Sequence, residues 1–195
     1  MTDADLKTEL TAQLGRLNDA VLAKADGLSE YDLRRPMTPT GSNILGIIKH
    51  LGYVQAGYLG DCFGRPWPHP IPAREPDAEV NTDMWATPEE DSAGVLAAYR
   101  ESWSHALETI GTTVLEATGT VDWWPDERRH PTLATVLAHM LVETGRHAGH
   151  IDVIRELIDS AAGRYAGDPS LPTASEIDWP AYVARLEAAA ATFRD

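Results

Sequence analysis

The sequence predicts an all-α protein, a four-helix bundle with long connections and a short extra helix near the C-terminus. Two observations lead to this fold class. Four long segments repeat apolar residues at the three- and four-residue spacing of one helical face. No segment shows the strict alternation of a half-buried strand, and no internal repeat competes with the helical pattern. A length of 195 residues supports one sizeable core, so we expect a single domain over residues 1–195.

The first two bundle helices are predicted from the spacing of their aliphatic residues. The first covers about residues 3–24, and its apolar face consists of Leu6, Leu10, Leu14, Leu17, Val21 and Leu22. A polar loop that contains Pro39 follows it. Ser42 is the predicted N-cap of the second helix, because a serine hydroxyl can accept a hydrogen bond from the free backbone N–H groups of the first turn. We expect this helix to reach about Asp61.

The third and fourth helices begin at recognisable start signals. Thr87, Pro88 and the two glutamates that follow combine a cap residue, a first-turn proline and acids near the positive end of the helix dipole. We expect the third helix to run from there to about Leu115. Thr132 is the predicted cap of the fourth helix, which covers roughly residues 133–160.

Two further segments lie outside the bundle helices. Residues 63–86 are rich in Pro and Trp, and they form a longer connection than most helix pairs need. Loops of this length are often functional. Asp178 opens a short helix over residues 181–192, which we expect to pack on the outside of the bundle.

Composition excludes several classes of function. The net charge of −14, without a basic stripe, argues against nucleic-acid binding, which needs clustered Lys and Arg. Neither a secretory signal nor an apolar run long enough to cross a bilayer is visible, so we expect a cytoplasmic protein without membrane contact. The single cysteine, Cys62, excludes an intramolecular disulfide and a CxxC zinc site, and packing is its expected role.

The fourth helix carries the most informative residues of the chain. At about 100° per residue, Glu143, His147 and His150 lie on one side of this helix. That side overlaps the apolar face formed by Val136, Met140, Ile151, Ile154 and Ile158. Imidazoles and a carboxylate directed into an apolar interior need partners, because burial of unpaired polar groups is unfavourable. A divalent metal ion would satisfy all of them, although a lone histidine on an apolar face is more often a hydrogen-bonded core residue.

The second helix offers the third candidate ligand, His50. Gly46 and Gly57 lie near it on the same helix, and we expect them to leave space for an ion or a ligand beside the imidazole. With Glu143 and His147, this histidine would form a site of two His and one Glu that keeps a coordination position open, as in catalytic zinc sites. His150 could be a fourth ligand, a residue that orients a ligand, or a general base. The last two roles are favoured, since a fourth protein ligand would close the site.

The loops offer candidate substrate-binding residues. Trp85 and Trp124, with Trp67 and Trp123, could line an apolar cleft at the bundle ends, or they could simply cap the bundle. Arg128 could hold a substrate carboxylate through its guanidinium, although such arginines more often face solvent. The expected partner is therefore a small molecule.

Three stretches resemble the DinB/YfiT-like metalloenzymes, and in particular the actinobacterial members grouped with mycothiol-dependent transferases and maleylpyruvate isomerases. They are Gly41-Ser-Asn-Ile-Leu-Gly-Ile-Ile-Lys-His50-Leu, Met84-Trp-Ala-Thr-Pro-Glu-Glu and His139-Met-Leu-Val-Glu143-Thr-Gly-Arg-His147-Ala-Gly-His150-Ile-Asp-Val-Ile-Arg-Glu. The resemblance implies a four-helix bundle, often dimeric, that binds a metal through three residues. Much of the superfamily uses three histidines, whereas this chain has Glu143 in place of one, as the mycothiol-dependent branch does.

The resemblance also suggests an activity. It implies His50, Glu143 and His147 as ligands of a divalent ion, a homodimer, and a low-molecular-weight thiol as co-substrate. Zinc is favoured, with nickel or iron as alternatives, because nitrogen and oxygen ligands suit all three. We therefore expect a metal-dependent thiol S-transferase that acts on small electrophiles. A metal-dependent hydrolase of a small amide or ester and a non-catalytic metal-binding protein are the alternatives.

Overall fold

The computed structural model describes residues 2–173 and 175–194, and this part of the chain is helical without a β-strand. Its helices are α1 (Asp3–Ala23), α2 (Glu30–Arg34), α3 (Ile44–Leu59), α4 (Ser92–Thr112), α5 (Leu133–Asp159) and α6 (Trp179–Ala191). Four short 3₁₀ turns cover Asp61–Phe63, Pro72–Arg74, Thr82–Met84 and Asp126–Arg128. The predicted all-α fold class is confirmed, and α1, α3, α4 and α5 are its four long helices.

The helix starts show which sequence signals were correct. Thr132 caps α5 as predicted, and its hydroxyl accepts a hydrogen bond from the Thr135 N–H. The predicted cap of α3 was one residue early, because the side chain of Asn43 rather than Ser42 accepts from the Gly46 N–H at 2.7 Å. The start of α4 was also predicted too early.

The acids before α4 are used in a different way. The carboxylate of Glu90 accepts from the Thr87 N–H and from the buried ammonium of Lys49, both at 2.8 Å. The segment from Thr87 is therefore a turn, and Asp91 caps the helix that begins at Ser92. A tertiary ion pair thus overrides a local helix-start signal.

The core of the bundle consists of two hydrophobic clusters. The first cluster includes Val21, Leu51, Tyr99, Ala148 and Ile151. The second cluster includes Leu14, Leu59, Ala106, Leu137 and Met140. Both contain residues of all four long helices, so each is a shared interior rather than a contact between two neighbours. α3 is the most deeply buried helix, and it packs mainly against α4 and α5.

The long connection between α3 and α4 lies across α3. Gly46 makes this possible, because a Cβ atom at this position would overlap the carbonyl group of Met84. Lys49 holds the same segment in place, because its ammonium donates hydrogen bonds to the carbonyl of Trp85 at 3.0 Å and to the carboxylate of Glu90. The space beside Gly46 is thus filled by protein backbone, so the expectation that this glycine leaves room for an ion or ligand was wrong.

The helix near the C-terminus differs from expectation in its packing. Asp178 caps α6 through a hydrogen bond from the Ala181 N–H, as the sequence predicted. No residue of α6 is buried, however, so the helix does not pack on the bundle in the way that was expected. None of the helices in the described residues combines the length and the apolar character needed to cross a membrane.

Candidate metal centre

Three polar side chains from α3 and α5 converge on one point inside the bundle. His50 comes from α3, and Glu143 and His147 come from successive turns of α5. The His147 Nε2 lies 3.2 Å from the Glu143 Oε1, and the His50 Nε2 lies 3.6 Å from the same oxygen. One ligand atom of each residue lies within 4.8 Å of the other two. The structure therefore brings together the three residues that the sequence singled out.

The donor set and its spacing fit a divalent metal ion. Ligands about 2.0–2.1 Å from a tetrahedral zinc lie roughly 3.3 Å from each other. The two measured separations, 3.2 and 3.6 Å, bracket that value. Two imidazole nitrogens and one carboxylate oxygen also suit zinc, nickel and iron alike, so the geometry does not choose among them. An ion at this position would be held by His50, Glu143 and His147 and would keep a coordination position free of protein.

Asp83 supports His50 from the loop that crosses α3. The His50 Nδ1 donates to the Asp83 Oδ2 at 2.6 Å, which leaves Nε2 free to face Glu143. This is the usual arrangement of a metal-binding histidine, in which a carboxylate fixes the tautomer and the ring orientation. The hydrogen bond to His50 also holds the pKa of Asp83 below its ordinary value, so Asp83 is ionised at neutral pH.

The two histidines have opposite pKa shifts. Burial lowers the pKa of His50, but the hydrogen bond and charge of Asp83, together with those of Glu143, outweigh it, and the net shift is upward. Burial and the charge of His50 lower the pKa of His147. The Nδ1 of His147 is buried and has no hydrogen-bond partner among the described residues. His147 is thus a largely neutral imidazole, the form that binds metals.

His150 lies outside the group of three. It is partly buried, and it is near enough to His147 for its charge to lower the pKa of that residue. Its ring nitrogens do not join the set of ligand atoms that lie within 4.8 Å of one another. The structure therefore does not group His150 with the three candidate ligands.

A cleft of about 430 Å³ opens next to Asp83, the hydrogen-bond partner of His50, and none of the three candidate ligands lines it. Its wall includes Asp83 and, from the turns of α3 that follow His50, Tyr53, Val54, Gly57 and Tyr58. Ile71, Ala73, Arg74 and Trp123 complete the wall from the two loops. Its size and its aromatic lining are typical of small-molecule sites.

Arg74 is the cation of this cleft, and Gly57 makes room for it. A Cβ atom at Gly57 would overlap the guanidinium of Arg74, which also pairs with Asp61 and stacks 5.7 Å from the ring centroid of Trp123. The space directly beside Gly57 is therefore taken by an arginine side chain, although Gly57 itself lines the cleft. The guanidinium lines the cleft while it is paired with the carboxylate of Asp61.

An aromatic cluster adjoins the cleft on the side of α5. The Tyr58 hydroxyl accepts hydrogen bonds from the indole N–H groups of both Trp123 and Trp124, each at 2.8 Å. The ring of His139, one helical turn before Glu143, packs 4.7 Å from the Tyr58 ring and 5.2 Å from Trp124. Arg128 stacks over Trp124 at 4.9 Å with its side chain exposed. Trp124 and Arg128 thus lie next to the cleft without lining it.

Trp85 lies in a different place. It lines a separate surface depression with Glu30 and Arg34. The backbone carbonyl of Trp85 contributes to the fold by accepting from Lys49. Trp85 is therefore not among the residues that line the cleft next to Asp83.

Sequence reasoning missed three residues of this region. Asp83 accepts a hydrogen bond from the candidate ligand His50. Tyr58 accepts hydrogen bonds from the two tryptophans. Arg74 lines the cleft. A search for a carboxylate partner of His50 could have suggested Asp83, since metal-binding histidines usually have one. Its position in an irregular loop gave no spacing signal.

The sequence was also compared with known proteins. A protein-family model described as mycothiol-S-transferase matches residues 9–160, which is more than half of the chain. This range runs from within α1 to the end of α5 and includes all three residues of the candidate centre. A search of curated proteins gave no match.

Proposed function

Because the chain belongs to the mycothiol S-transferase family, we propose that it is a metal-dependent transferase that joins a low-molecular-weight thiol of the mycothiol type to a small electrophile. The observation that carries the proposal is the convergence of His50, Glu143 and His147, with a nearby cleft whose wall includes Asp83, the hydrogen-bond partner of His50. A site with three protein ligands leaves room for one exogenous ligand, as catalytic sites do. The thiol is the proposed exogenous ligand.

The charge of the site suits a thiol. A divalent ion held by two neutral imidazoles and one carboxylate would keep a net positive charge and would favour the thiolate form of a bound thiol. In the proposed reaction the thiol sulfur forms a bond to a carbon of the electrophile. The leaving group departs with the electron pair of the bond that breaks, and the thiol proton is released.

Residues of this chain have proposed roles in each part of that reaction. Asp83 keeps the Nε2 of His50 directed towards the centre through its hydrogen bond to Nδ1. His150, partly buried beside His147, is the proposed acceptor of the thiol proton. Tyr58 and Trp123 are proposed to contact the apolar part of the electrophile, since both line the cleft.

A thiol-conjugation assay tests the proposal. The zinc-loaded protein is incubated with mycothiol and an alkylating electrophile, and the loss of free thiol is compared with the spontaneous rate. We expect conjugation that depends on metal, is abolished in His147→Ala, and is retained in His130→Ala. His130 is a matched control because it is an exposed histidine on a loop.

The same assay separates the alternatives. No metal-dependent conjugation above the spontaneous rate would overturn the transferase. Metal-dependent turnover of an ester or amide without added thiol would favour the hydrolase instead. Elemental analysis of protein purified without a metal-binding tag identifies the ion, and zinc is our expectation.

A further inference from the structure

A layer of polar residues separates the two hydrophobic clusters of the bundle. Each long helix contributes one buried residue to this polar layer, namely Asn18, Gln55, Ser102 and Thr144. Along every helix, the residues on either side of the layer belong to opposite clusters: Leu14 and Val21, Leu51 and Leu59, Tyr99 and Ala106, and Met140 and Ala148. The interruption therefore occurs at one level in all four helices, which a scatter of isolated polar residues would not produce.

Protein contacts satisfy only part of this polar layer. The Gln55 Nε2 donates to the Ser102 Oγ at 3.3 Å, and the Asn18 Nδ2 donates to the Leu14 carbonyl at 2.9 Å. The remaining oxygens of Asn18 and Gln55 and the hydroxyl of Thr144 are buried, and no described residue bonds to them. Buried polar atoms of this kind are normally satisfied by ordered water, which occurs about once per 27 residues in globular proteins.

The polar layer borders the candidate metal centre at His147. Thr144 is fully buried and precedes His147 by three residues on α5, so the two side chains occupy neighbouring turns of the helix. The Nε2 of His147 faces Glu143, which leaves Nδ1 as the nitrogen directed away from the centre. That Nδ1 is also buried and has no described partner, whereas the Nδ1 of His50 has Asp83.

We infer that the polar layer holds ordered water that accepts a hydrogen bond from the His147 Nδ1–H, and that Thr144 is a positioning residue for the metal centre. A histidine that binds a metal through Nε2 carries its proton on Nδ1, and this proton needs an acceptor. The His147 Nδ1, Thr144 Oγ1, Gln55 Oε1 and Asn18 Oδ1 are all buried without a described partner, and polar atoms of this kind are the partners, two to four in number, that a buried water requires. The inference rests on the proposed metal site.

Two substitutions of Thr144 separate a hydrogen-bonding role from a packing role. Thr144→Val keeps the shape and removes the hydroxyl, whereas Thr144→Ser keeps the hydroxyl and removes a methyl group. Zinc affinity is measured by competition with a chromophoric chelator, ligand geometry by the visible spectrum of the cobalt-loaded protein, and stability by thermal unfolding of the metal-free protein. Ile154→Val, a buried change on the same helix outside the layer, is the packing control.

The inference predicts that Thr144→Val lowers zinc affinity but not stability, and that Thr144→Ser lowers stability but not zinc affinity. Thr144→Val should weaken zinc binding about tenfold and alter the cobalt spectrum, because loss of a partner of a ligand histidine typically costs 10–100-fold in affinity. Its metal-free form should unfold at or above the wild-type temperature. Thr144→Ser should bind zinc within about twofold of wild type and unfold at a lower temperature, as should Ile154→Val.

Other outcomes have separate meanings. Wild-type affinity and spectrum in Thr144→Val would overturn the inference and leave the proposed metal site intact. Weaker zinc binding in proportion to lost stability across all three variants would also overturn it, since packing alone would then explain the data. A wild-type protein that binds no zinc, or a His147→Ala variant that binds it normally, would overturn the proposed function as well.

Discussion

Replacement of Asp83 by asparagine should weaken metal binding by about tenfold without unfolding the protein. The His50 Nδ1 and the Asp83 Oδ2 are 2.6 Å apart, and their side chains are 19% and 22% exposed. A hydrogen bond to a charged group contributes about 1.5–3 kcal/mol to stability. Partial exposure favours the lower end of that range, and the amide oxygen of asparagine can still accept the Nδ1–H. About 1.4 kcal/mol then corresponds to a tenfold change in dissociation constant.

A matched control is available in the same loop. Asp77 is exposed, and Asp77→Asn removes the same charge at a position that carries no hydrogen bond to the centre. Zinc dissociation constants of wild type, Asp83→Asn and Asp77→Asn are measured with a competing chelator at pH 8. We expect the affinity of Asp77→Asn to stay within about twofold of wild type, because exposed charges at a distance are strongly screened.

Two results would refute this reasoning. If Asp83→Asn and Asp77→Asn weaken binding equally, the effect is one of overall charge and the hydrogen bond to His50 contributes nothing. If Asp83→Asn abolishes binding as completely as His50→Ala does, Asp83 is itself a ligand rather than a partner of one.

Three further predictions concern the scaffold. Gly46→Ala should lower the free energy of unfolding by about 1–3 kcal/mol in urea titrations, because its Cβ would overlap the carbonyl of Met84; wild-type stability would contradict this. Burial raises the pKa of the Cys62 thiol to about 12, so mass spectrometry should show slow labelling by iodoacetamide at pH 8 in native protein and rapid labelling in urea. Burial opposes ionisation of Glu90, but the hydrogen bonds from Lys49 and Thr87, together with the charge of Lys49, outweigh it and lower the pKa of Glu90 below the ordinary 4.5. The carboxylate of Glu90 therefore binds a proton more readily in the unfolded chain than in the folded protein. As a result, the ion pair stabilises the protein above about pH 4.5. This stabilisation is lost as the pH falls from there through the lowered pKa of the folded state. Glu90→Gln should therefore flatten the fall in stability below about pH 4.5, and an unchanged slope there would count against the pair.

Periodicity in the sequence was sufficient for the fold class. Amphipathic spacing located the four long helices, since each buries one continuous face in a shared core. It also located Glu143 and His147 together, because a spacing of four residues on a helix is a geometric constraint. Whether His50 would meet them depended on how α3 and α5 pack, and no local signal specifies this. The domain organisation, dimeric state and cellular location remain predictions.

The features that sequence could not supply are tertiary contacts of irregular chain. Asp83 reaches His50 only because Gly46 lets the loop lie directly on α3. The start of α4 shifted from Thr87 to Ser92 because Glu90 pairs with Lys49, which lies 41 residues earlier in the chain. Both depend on which surfaces of α3 face the loop, and that follows from packing rather than from any motif in the loop itself.

The positions of His50 and His147 have a consequence for the lifetime of the folded state. These residues are 97 positions apart in the chain and lie on different helices, so an ion shared between them would act as a reversible cross-link. Closing so long a segment reduces the conformational freedom of the unfolded chain. By mass action, free metal at 100 times its dissociation constant would add about 2.7 kcal/mol to the free energy of unfolding. Resistance to heat and proteases would then vary with the metal supply of the cell.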